Sequence, residues 1–123
     1  MLVTEKAREA LVKALIGQFD RFFQGSPEES GSYARIINEK HLQRLAQSLE
    51  DATSRGAEIL YGGTFDAKSR FFEPTLVEGV PEDARLLEEE IFGPILPIVT
   101  VASTEQAIAF INRRERPLAL YIY

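Results

Sequence analysis

The sequence predicts an α/β fold with a largely parallel sheet covered by helices. A nearly continuous apolar run over residues 95–101 is followed by a helix pattern and then by a second apolar run over residues 118–123. Strand, helix and strand joined by short connections form a parallel βαβ unit with a right-handed crossover. Two amphipathic helix patterns in the first half of the chain supply the apolar faces that cover such a sheet.

Length and composition favour one globular domain. The chain has 123 residues, of which 45% are hydrophobic and 27% charged, and this length is close to the commonest domain size. Its 14 Lys and Arg residues against 19 Asp and Glu residues give a net charge of −5, which argues against nucleic-acid binding. No apolar run is long enough to cross a bilayer, and charged residues begin at Glu5, so we expect a cytoplasmic protein without a signal peptide.

The chain contains no cysteine and one histidine, His41. These counts exclude thiol nucleophiles, disulfides and cysteine-based zinc sites, and they leave no histidine cluster for a metal. Any chemistry performed by this chain alone must therefore use carboxylates, hydroxyls, His41, lysine or arginine.

The first half of the chain predicts two helices. Thr4 is a suitable N-cap for the first, which ends near Gly25 and carries apolar residues at a period close to 3.6, namely Leu11, Val12, Leu15, Ile16, Phe19, Phe22 and Phe23. We expect its phenylalanines to lie in the core or to face the sheet. After a loop over residues 25–31, a second helix begins at Asn38, ends at Gly56, and has an apolar face of Leu42, Leu45, Ala46 and Leu49.

The second half predicts strands. Residues 57–61 are one candidate and residues 71–77 another, although Pro74 restricts the latter to a sheet edge or an extended segment. Residues 95–101 are expected to be covered on both faces. A capping box beginning at Ser103 starts a helix that Pro117 ends, and residues 118–123 are the next strand. Leu2 and Val3 resemble the end of another strand, so the sequence looks cut at both ends, and we expect the exposed edges to cause self-association.

The densest chemical information lies in residues 88–94. Three successive carboxylates lead into Ile-Phe-Gly-Pro, and the glycine and proline force an irregular backbone immediately before a buried strand. A carboxylate and an aromatic ring at the end of a parallel strand suit a sugar hydroxyl and a flat ring. The composition alone favours the plainer alternative, in which Glu88 and Glu89 are solvated, Glu90 makes a local cap and Phe92 lies in the core.

Residues 89–94, Glu-Glu-Ile-Phe-Gly-Pro, resemble a signature hexapeptide of the aldehyde dehydrogenase superfamily. Phe-Glu-Pro-Thr-Leu at residues 72–76 resembles the strand that precedes this hexapeptide in the family. Tyr-Ala-Arg-Ile-Ile-Asn at residues 33–38, with His41 downstream, and Arg-Pro-Leu-Ala-Leu-Tyr at residues 116–121 resemble the class 3 branch, which acts on fatty and aromatic aldehydes. The resemblance covers essentially the whole chain.

The resemblance implies specific roles. Members of the family oxidise aldehydes to acids with NAD or NADP through a cysteine nucleophile. The family's glutamate before Ile-Phe-Gly-Pro holds the nicotinamide ribose hydroxyls and matches Glu90, while the phenylalanine beside the nicotinamide matches Phe92. A helix position that contacts ribose or phosphate matches His41, and Arg44 lies one turn away on the same face. For His41 the alternative is a solvated or capping residue.

The same resemblance places the catalytic cysteine, the general-base glutamate, the oxyanion-hole asparagine and the glycine-rich coenzyme fold before this stretch. We therefore expect residues 1–123 to be a single partial catalytic-domain fragment that lacks the Rossmann-type half, holds no catalytic residue or metal, and is inactive alone. The expected partners are an aldehyde substrate and the coenzyme in the parent protein. The main alternative is a stand-alone, noncatalytic domain that binds a nucleotide or a protein, and a weaker one is a small hydrolase that uses carboxylates.

Overall fold

The computed structural model describes residues 1–115 and 118–122. The helices and strands follow in the order β1 (Leu2–Thr4), α1 (Glu5–Phe23), α2 (Glu39–Ser54), β2 (Glu58–Tyr61), β3 (Phe65–Asp66), β4 (Phe71–Phe72), β5 (Thr75–Glu78), α3 (Arg85–Glu88), β6 (Ile95–Val101) and α4 (Thr104–Asn112).

A four-stranded sheet has the order β1-β6-β5-β2. Strand β6 runs parallel to both of its neighbours, β1 and β5, whereas β2 pairs with β5 in the antiparallel sense. Strands β3 and β4 form a separate antiparallel pair. The mixed α/β fold with a mostly parallel sheet is thus confirmed, and its centre is the parallel pair of β5 and β6.

Helix α2 has the start and the end that the sequence predicts. The Asn38 side chain accepts a hydrogen bond from the backbone N–H of His41 at 2.9 Å, which satisfies one of the unpaired amides of the first turn. At the other end Gly56 has a φ of 102°. There the amides of Gly56 and Ala57 donate to the carbonyls of Thr53 and Ala52 at 3.1 and 3.0 Å, which is a Schellman motif.

The core lies between the apolar face of α2 and the central strands. On α2 the side chains of Leu42, Leu45, Leu49 and Ala52 are buried, and they join a cluster that includes Phe72, Val77, Leu86 and Ile95. Residues from both faces of β6 are buried, although Thr100 is exposed. Helix α2 is packed along its apolar face and is therefore held rigidly in the fold. Segments that contact the remaining residues of α2 are held in place as well.

Helix α1 packs less completely than its pattern predicts. No residue of α1 is buried, and the Phe22 side chain is 67% exposed. Phe19 does contact the sheet, with its ring centroid 5.4 Å from that of Tyr61 in β2. A two-point contact from the Arg8 guanidinium to the Glu78 carboxylate in β5 also links α1 to the sheet.

The sequence restricts the Pro74 segment to a sheet edge or an extended segment, and the first of these two expectations is wrong. The run over residues 71–77 divides into β4 and β5, and β5 lies inside the sheet. The backbone amides on either side of Pro74 have partners in different segments. The amide of Glu73 donates to the carbonyl of Thr64 at 2.9 Å, and the amide of Thr75 donates to the carbonyl of Pro94 at 2.8 Å. Because Pro74 stands between the two strands, its missing N–H leaves no gap in either ladder.

The strand predicted for residues 118–123 is also wrong over the described part. Residues 118–122 form no strand and are exposed, while Pro117 and Tyr123 lie outside the described residues. Helix α4 does begin as predicted, with the Ser103 hydroxyl accepting from the Gln106 amide at 3.3 Å. However, β6 already has β1 and β5 on its two edges, so a returning strand has no place beside it.

Candidate functional site

The site is built on residues 89–94, here called the hexapeptide loop, which connects α3 to β6. At its start the amide of Glu89 donates to the carbonyl of Arg85 at 2.9 Å and so continues the single turn of α3. At its end the carbonyl of Pro94 accepts from the amide of Thr75, next to the first residue pair of β5 and β6. Both ends of the loop are therefore fixed to regular structure.

Arg44 of α2 holds the middle of the loop. Its guanidinium donates to two consecutive backbone carbonyls, with one Nη 3.4 Å from the oxygen of Glu90 and the other bonded to the oxygen of Ile91. Arg44 is half-buried, so solvent competes less for these bonds than at a fully exposed position. The helix thus fixes two successive peptide planes of the loop.

Phe92 and Gly93 explain the sharp change of direction before β6. Phe92 has a φ of 44°, in the left-handed region that disfavours residues other than glycine by about 1–2 kcal/mol. Gly93 lies against α2, where a Cβ would come within 2.5 Å of the Leu45 methyl groups. Since Leu45 is completely buried, it has no room to yield, and only glycine allows the loop to approach this closely.

The result is that the side chains of Glu90 and Phe92 point away from the core. The Glu90 carboxylate is exposed and, among residues 1–115 and 118–122, has no hydrogen-bonding partner. The Phe92 ring is 75% exposed. Glu88 and Glu89 are exposed too, and Glu89 lies 3.7 Å from Arg85 in an ion pair. The loop therefore offers hydroxyl groups an acceptor and a flat ligand an apolar ring, both on a fixed backbone.

The structure brings three of the four candidate residues together and leaves His41 apart from them. Arg44 contacts the backbone of the loop that carries Glu90 and Phe92, so these three are part of one unit. The His41 side chain is exposed on the first turn of α2, one turn before Arg44. No hydrogen bond joins its ring to the loop within the described part of the chain. His41 is thus a neighbour of the unit on the same helix.

An open cleft of about 550 Å³ lies elsewhere, between α4 and the ends of β5 and β6. Of its four charged lining residues, Glu78 pairs with Arg8, and Glu82 pairs with Arg113 at 3.2 Å, whereas Glu58 is exposed and has no ion pair among the described residues. These pairs neutralise three of the four charges that line the cleft. The exposed loop on α2 is therefore the better candidate site.

Metal ligands and membrane-spanning helices are two further features to consider in residues 1–115 and 118–122. No group of three or more histidine, cysteine, aspartate or glutamate side chains there is arranged to hold a metal ion. Among the same residues, no helix combines the length and the apolar character that a bilayer span requires.

The chain is similar to known proteins along its whole length. A family model described as "Aldehyde dehydrogenase family" matches residues 1–123. The chain belongs to the aldehyde dehydrogenase family. It is 42% identical over its full length to a 4,4'-diaponeurosporen-aldehyde dehydrogenase of Staphylococcus aureus, and 43% identical to aldehyde dehydrogenase family 3 member B2 of mouse. The resemblance to the class 3 branch is thereby confirmed. The chain spans about a quarter of these relatives, 26% and 25% of their lengths.

Solved structures agree. A substrate-bound structure of Staphylococcus aureus AldH matches with a TM-score of 0.87 and 42% identity, over 95% of this chain and 25% of that one. A succinic semialdehyde dehydrogenase of Streptococcus pyogenes, solved in complex with NADP+, matches with a TM-score of 0.76 and 26% identity, over 95% of this chain and 26% of that one. The fold of this chain therefore corresponds to part of an aldehyde dehydrogenase.

Sequence reasoning missed two features of the site. It did not find the bonds from Arg44 to the loop carbonyls, nor the contact of Gly93 with Leu45. A weak signal was present, because the Gly-Pro pair requires an irregular backbone and glycine is the residue that tolerates a close approach. Nothing in the local sequence identifies α2 as the element approached.

Proposed function

We propose that this chain supplies part of the nicotinamide pocket of an NAD(P)-dependent aldehyde dehydrogenase that oxidises aldehydes to carboxylic acids. The observation that carries the proposal is the exposure of Glu90 and Phe92 on a backbone that α2 holds in place. Exposed acidic and aromatic side chains are common on protein surfaces, but a strained and tightly supported backbone beneath them is characteristic of functional sites.

The residues fit the coenzyme. An ionised carboxylate accepts several hydrogen bonds, and the neighbouring hydroxyls of a ribose supply two donors for Glu90. The Phe92 ring offers a flat apolar face against which a nicotinamide can lie. When bound, NAD or NADP would supply the hydride acceptor for the oxidation. In this assignment Glu90 orients the ribose and Phe92 limits where the ring lies, while neither residue transfers a proton.

His41 completes the proposed coenzyme-binding set from the first turn of α2. Arg44, which the sequence places in the same set, bonds to the backbone of the loop that carries Glu90 and Phe92 and belongs to the site through that contact. The relatives support a nicotinamide coenzyme, since one from dog, 40% identical to this chain, is named a dimeric NADP-preferring aldehyde dehydrogenase. The cytoplasmic location stays a prediction. We propose that the cysteine nucleophile and the main coenzyme-binding fold belong to other parts of a longer protein.

The test is the variant Glu90→Gln in the complete protein that contains this chain, assayed by steady-state kinetics with varied coenzyme. A hydrogen bond to a charged group is worth about 1.5–3 kcal/mol, so kcat/KM for the coenzyme should fall about tenfold to a hundredfold. The matched control is Glu88→Gln, an exposed carboxylate two residues away, which should change kcat/KM by less than about twofold. Unchanged coenzyme kinetics in Glu90→Gln would refute the assignment.

A further inference from the structure

Arg44 makes contacts that a coenzyme ligand would not need. Its two Nη groups are directed to the backbone oxygens of Glu90 and Ile91, which are 46 and 47 residues away along the chain. We propose that Arg44 is a positioning residue, which sets the directions of Glu90 and Phe92 by holding the peptide planes between them. This inference rests on the proposed function, because it concerns how the same site is made ready for the coenzyme.

The backbone geometry explains how Arg44 acts. The carbonyl of Ile91 belongs to the peptide plane from which the φ of Phe92 is measured, so fixing that carbonyl fixes one side of the strained torsion. The carbonyl of Glu90 belongs to the preceding plane and limits rotation there. Together the two bonds hold Phe92 at its φ of 44°, a conformation that it would leave if the planes were free.

The backbone of Arg44 is held in place because it belongs to the packed helix beneath the loop. The side chain of the next residue, Leu45, is completely buried and contacts Gly93, the residue after Phe92. One helix turn therefore fixes the strained residue from both sides, by hydrogen bonds before it and by packing after it. A planar guanidinium with several N–H groups in a fork suits two adjacent carbonyls, whereas the single ammonium of lysine cannot reproduce this geometry.

A direct contact between Arg44 and a coenzyme phosphate is the competing role, and the two roles predict different behaviour. A phosphate contact depends on charge, so lysine would keep much of it, and its contribution would add to that of Glu90. A positioning role depends on the fork and acts through Glu90 and Phe92. Its effect must therefore shrink once Glu90 has lost its carboxylate.

The experiment is a double-mutant cycle in the complete protein that contains this chain, with Arg44→Lys, Arg44→Ala, Glu90→Gln and the two double variants. We expect Arg44→Ala and Arg44→Lys each to lower kcat/KM about tenfold or more with both NAD and NADP. In the Glu90→Gln background the same changes should cost less than about threefold. The control Arg113→Ala removes an exposed arginine paired with Glu82 and should leave the kinetics unchanged. Full additivity, or full activity in Arg44→Lys, would overturn the proposal.

Hydrogen exchange without coenzyme keeps this proposal separate from the proposed function. In Arg44→Ala and Arg44→Lys, the amides of Glu89 and Thr75, which donate to the carbonyls of Arg85 and Pro94 at the two ends of the loop, should exchange about tenfold faster or more, while Arg113→Ala leaves them unchanged. If Glu90→Gln has normal coenzyme kinetics, the proposed function fails, yet faster exchange still shows that Arg44 holds the loop. Unchanged exchange at these amides in both Arg44 variants would overturn the positioning role whatever the kinetics show.

Discussion

Helices α1 and α2 both carry an amphipathic pattern in the sequence, more sharply segregated in α2, but they have very different surroundings in the fold. Along α2, five residues are buried, namely Leu42, Leu45, Ser48, Leu49 and Ala52, whereas α1 has none. The apolar face of α2 meets α3 and the central strands, while α1 contacts β1 and β6 and reaches the other two strands through Phe19 and Arg8. The pattern of apolar residues thus indicates that a helix is to be covered, but not whether the covering surface belongs to the same chain.

The same difference divides the molecule into two regions. The packed region consists of α2 and the hexapeptide loop that it supports, which is the candidate site. The uncovered region consists of α1 and residues 118–122. The apolar side chains of residues 118–122 include Leu118, which is 102% exposed, and Ile122, which is 85% exposed. We interpret the packed region as a surface for ligand recognition and the uncovered region as a surface that packs against other polypeptide.

The largest expected effect concerns activity. We propose that the packed region supplies one wall of a coenzyme pocket, and the chain has no cysteine to act as the thiolate nucleophile that the family resemblance implies. The purified chain should therefore show no NAD- or NADP-dependent oxidation across a broad aldehyde panel. If more reduced coenzyme formed than in a heat-treated control, this would contradict the proposal that the nucleophile and the main coenzyme-binding fold belong to other parts of a longer protein.

A pair of leucine truncations tests the packing difference directly. Leu45→Ala removes a completely buried side chain and should lower the free energy of unfolding by about 2–5 kcal/mol. Leu15→Ala removes a half-buried side chain of α1 and should cost less than about 1.5 kcal/mol, because less area leaves the interior. Urea denaturation of both variants gives the comparison. Equal losses would show that α1 is as well packed as α2.

The uncovered region should cause self-association of the purified chain. Exposed apolar side chains and unpaired strand edges favour pairing with another copy. Replacing Leu118 and Ile122 together with serine should weaken association by about tenfold or more, as measured by light scattering over a range of concentrations. Lys13→Ser, a change at an exposed polar position of α1, is the control. A wild-type chain that stays monomeric at every concentration would contradict this interpretation.

The smallest effect is expected at Tyr33, which connects the two regions. Its ring lies 5.0 Å from that of Phe23 at the end of α1 and 5.9 Å from that of Phe71, and its hydroxyl donates to the carbonyl of Phe72 at 2.7 Å. Tyr33→Phe loses that hydrogen bond and should lower the free energy of unfolding by about 1 kcal/mol.

Tyr33 also gives the protein a dependence on alkaline pH. Burial raises the pKa of its phenol to about 12 from an ordinary value of 10.0, so the folded state favours the neutral form. The resulting stabilisation is fully present below pH 10 and is lost as the pH rises from there through about 12. Urea denaturation between pH 9 and pH 12 should therefore show the advantage of wild type over Tyr33→Phe shrinking and then reversing, because ionisation of the buried phenol costs the folded state more than its hydrogen bond contributes. A constant difference would contradict the raised pKa.

Local signals in the sequence were sufficient for the elements that are defined by short-range chemistry. Asn38 and Gly56 bound α2 as predicted because capping depends on residues within four or five positions of one another. The apolar run of β6 was recognisable because a parallel strand between two neighbours buries both of its faces. The hexapeptide was recognisable by its resemblance to a family, and its composition alone favoured a plainer interpretation.

The features that the sequence did not predict depend on contacts between distant parts of the chain. Pro74 was compatible with an interior strand only because the chain changes partners there. Residues 118–122 were assigned to a strand on their apolar character, although both edges of β6 were already occupied. The carbonyl partners of Arg44 lie 46 and 47 residues away, so no local pattern could identify them.

The most direct test of the central claim is one distance in a crystal structure of the complete protein with its coenzyme bound. If the loop on α2 forms a wall of the nicotinamide pocket, an oxygen of the Glu90 carboxylate should lie within about 2.5–3.2 Å of a hydroxyl of the nicotinamide ribose. A Glu90 side chain that points into solvent, with the ribose held by other residues, would contradict the account.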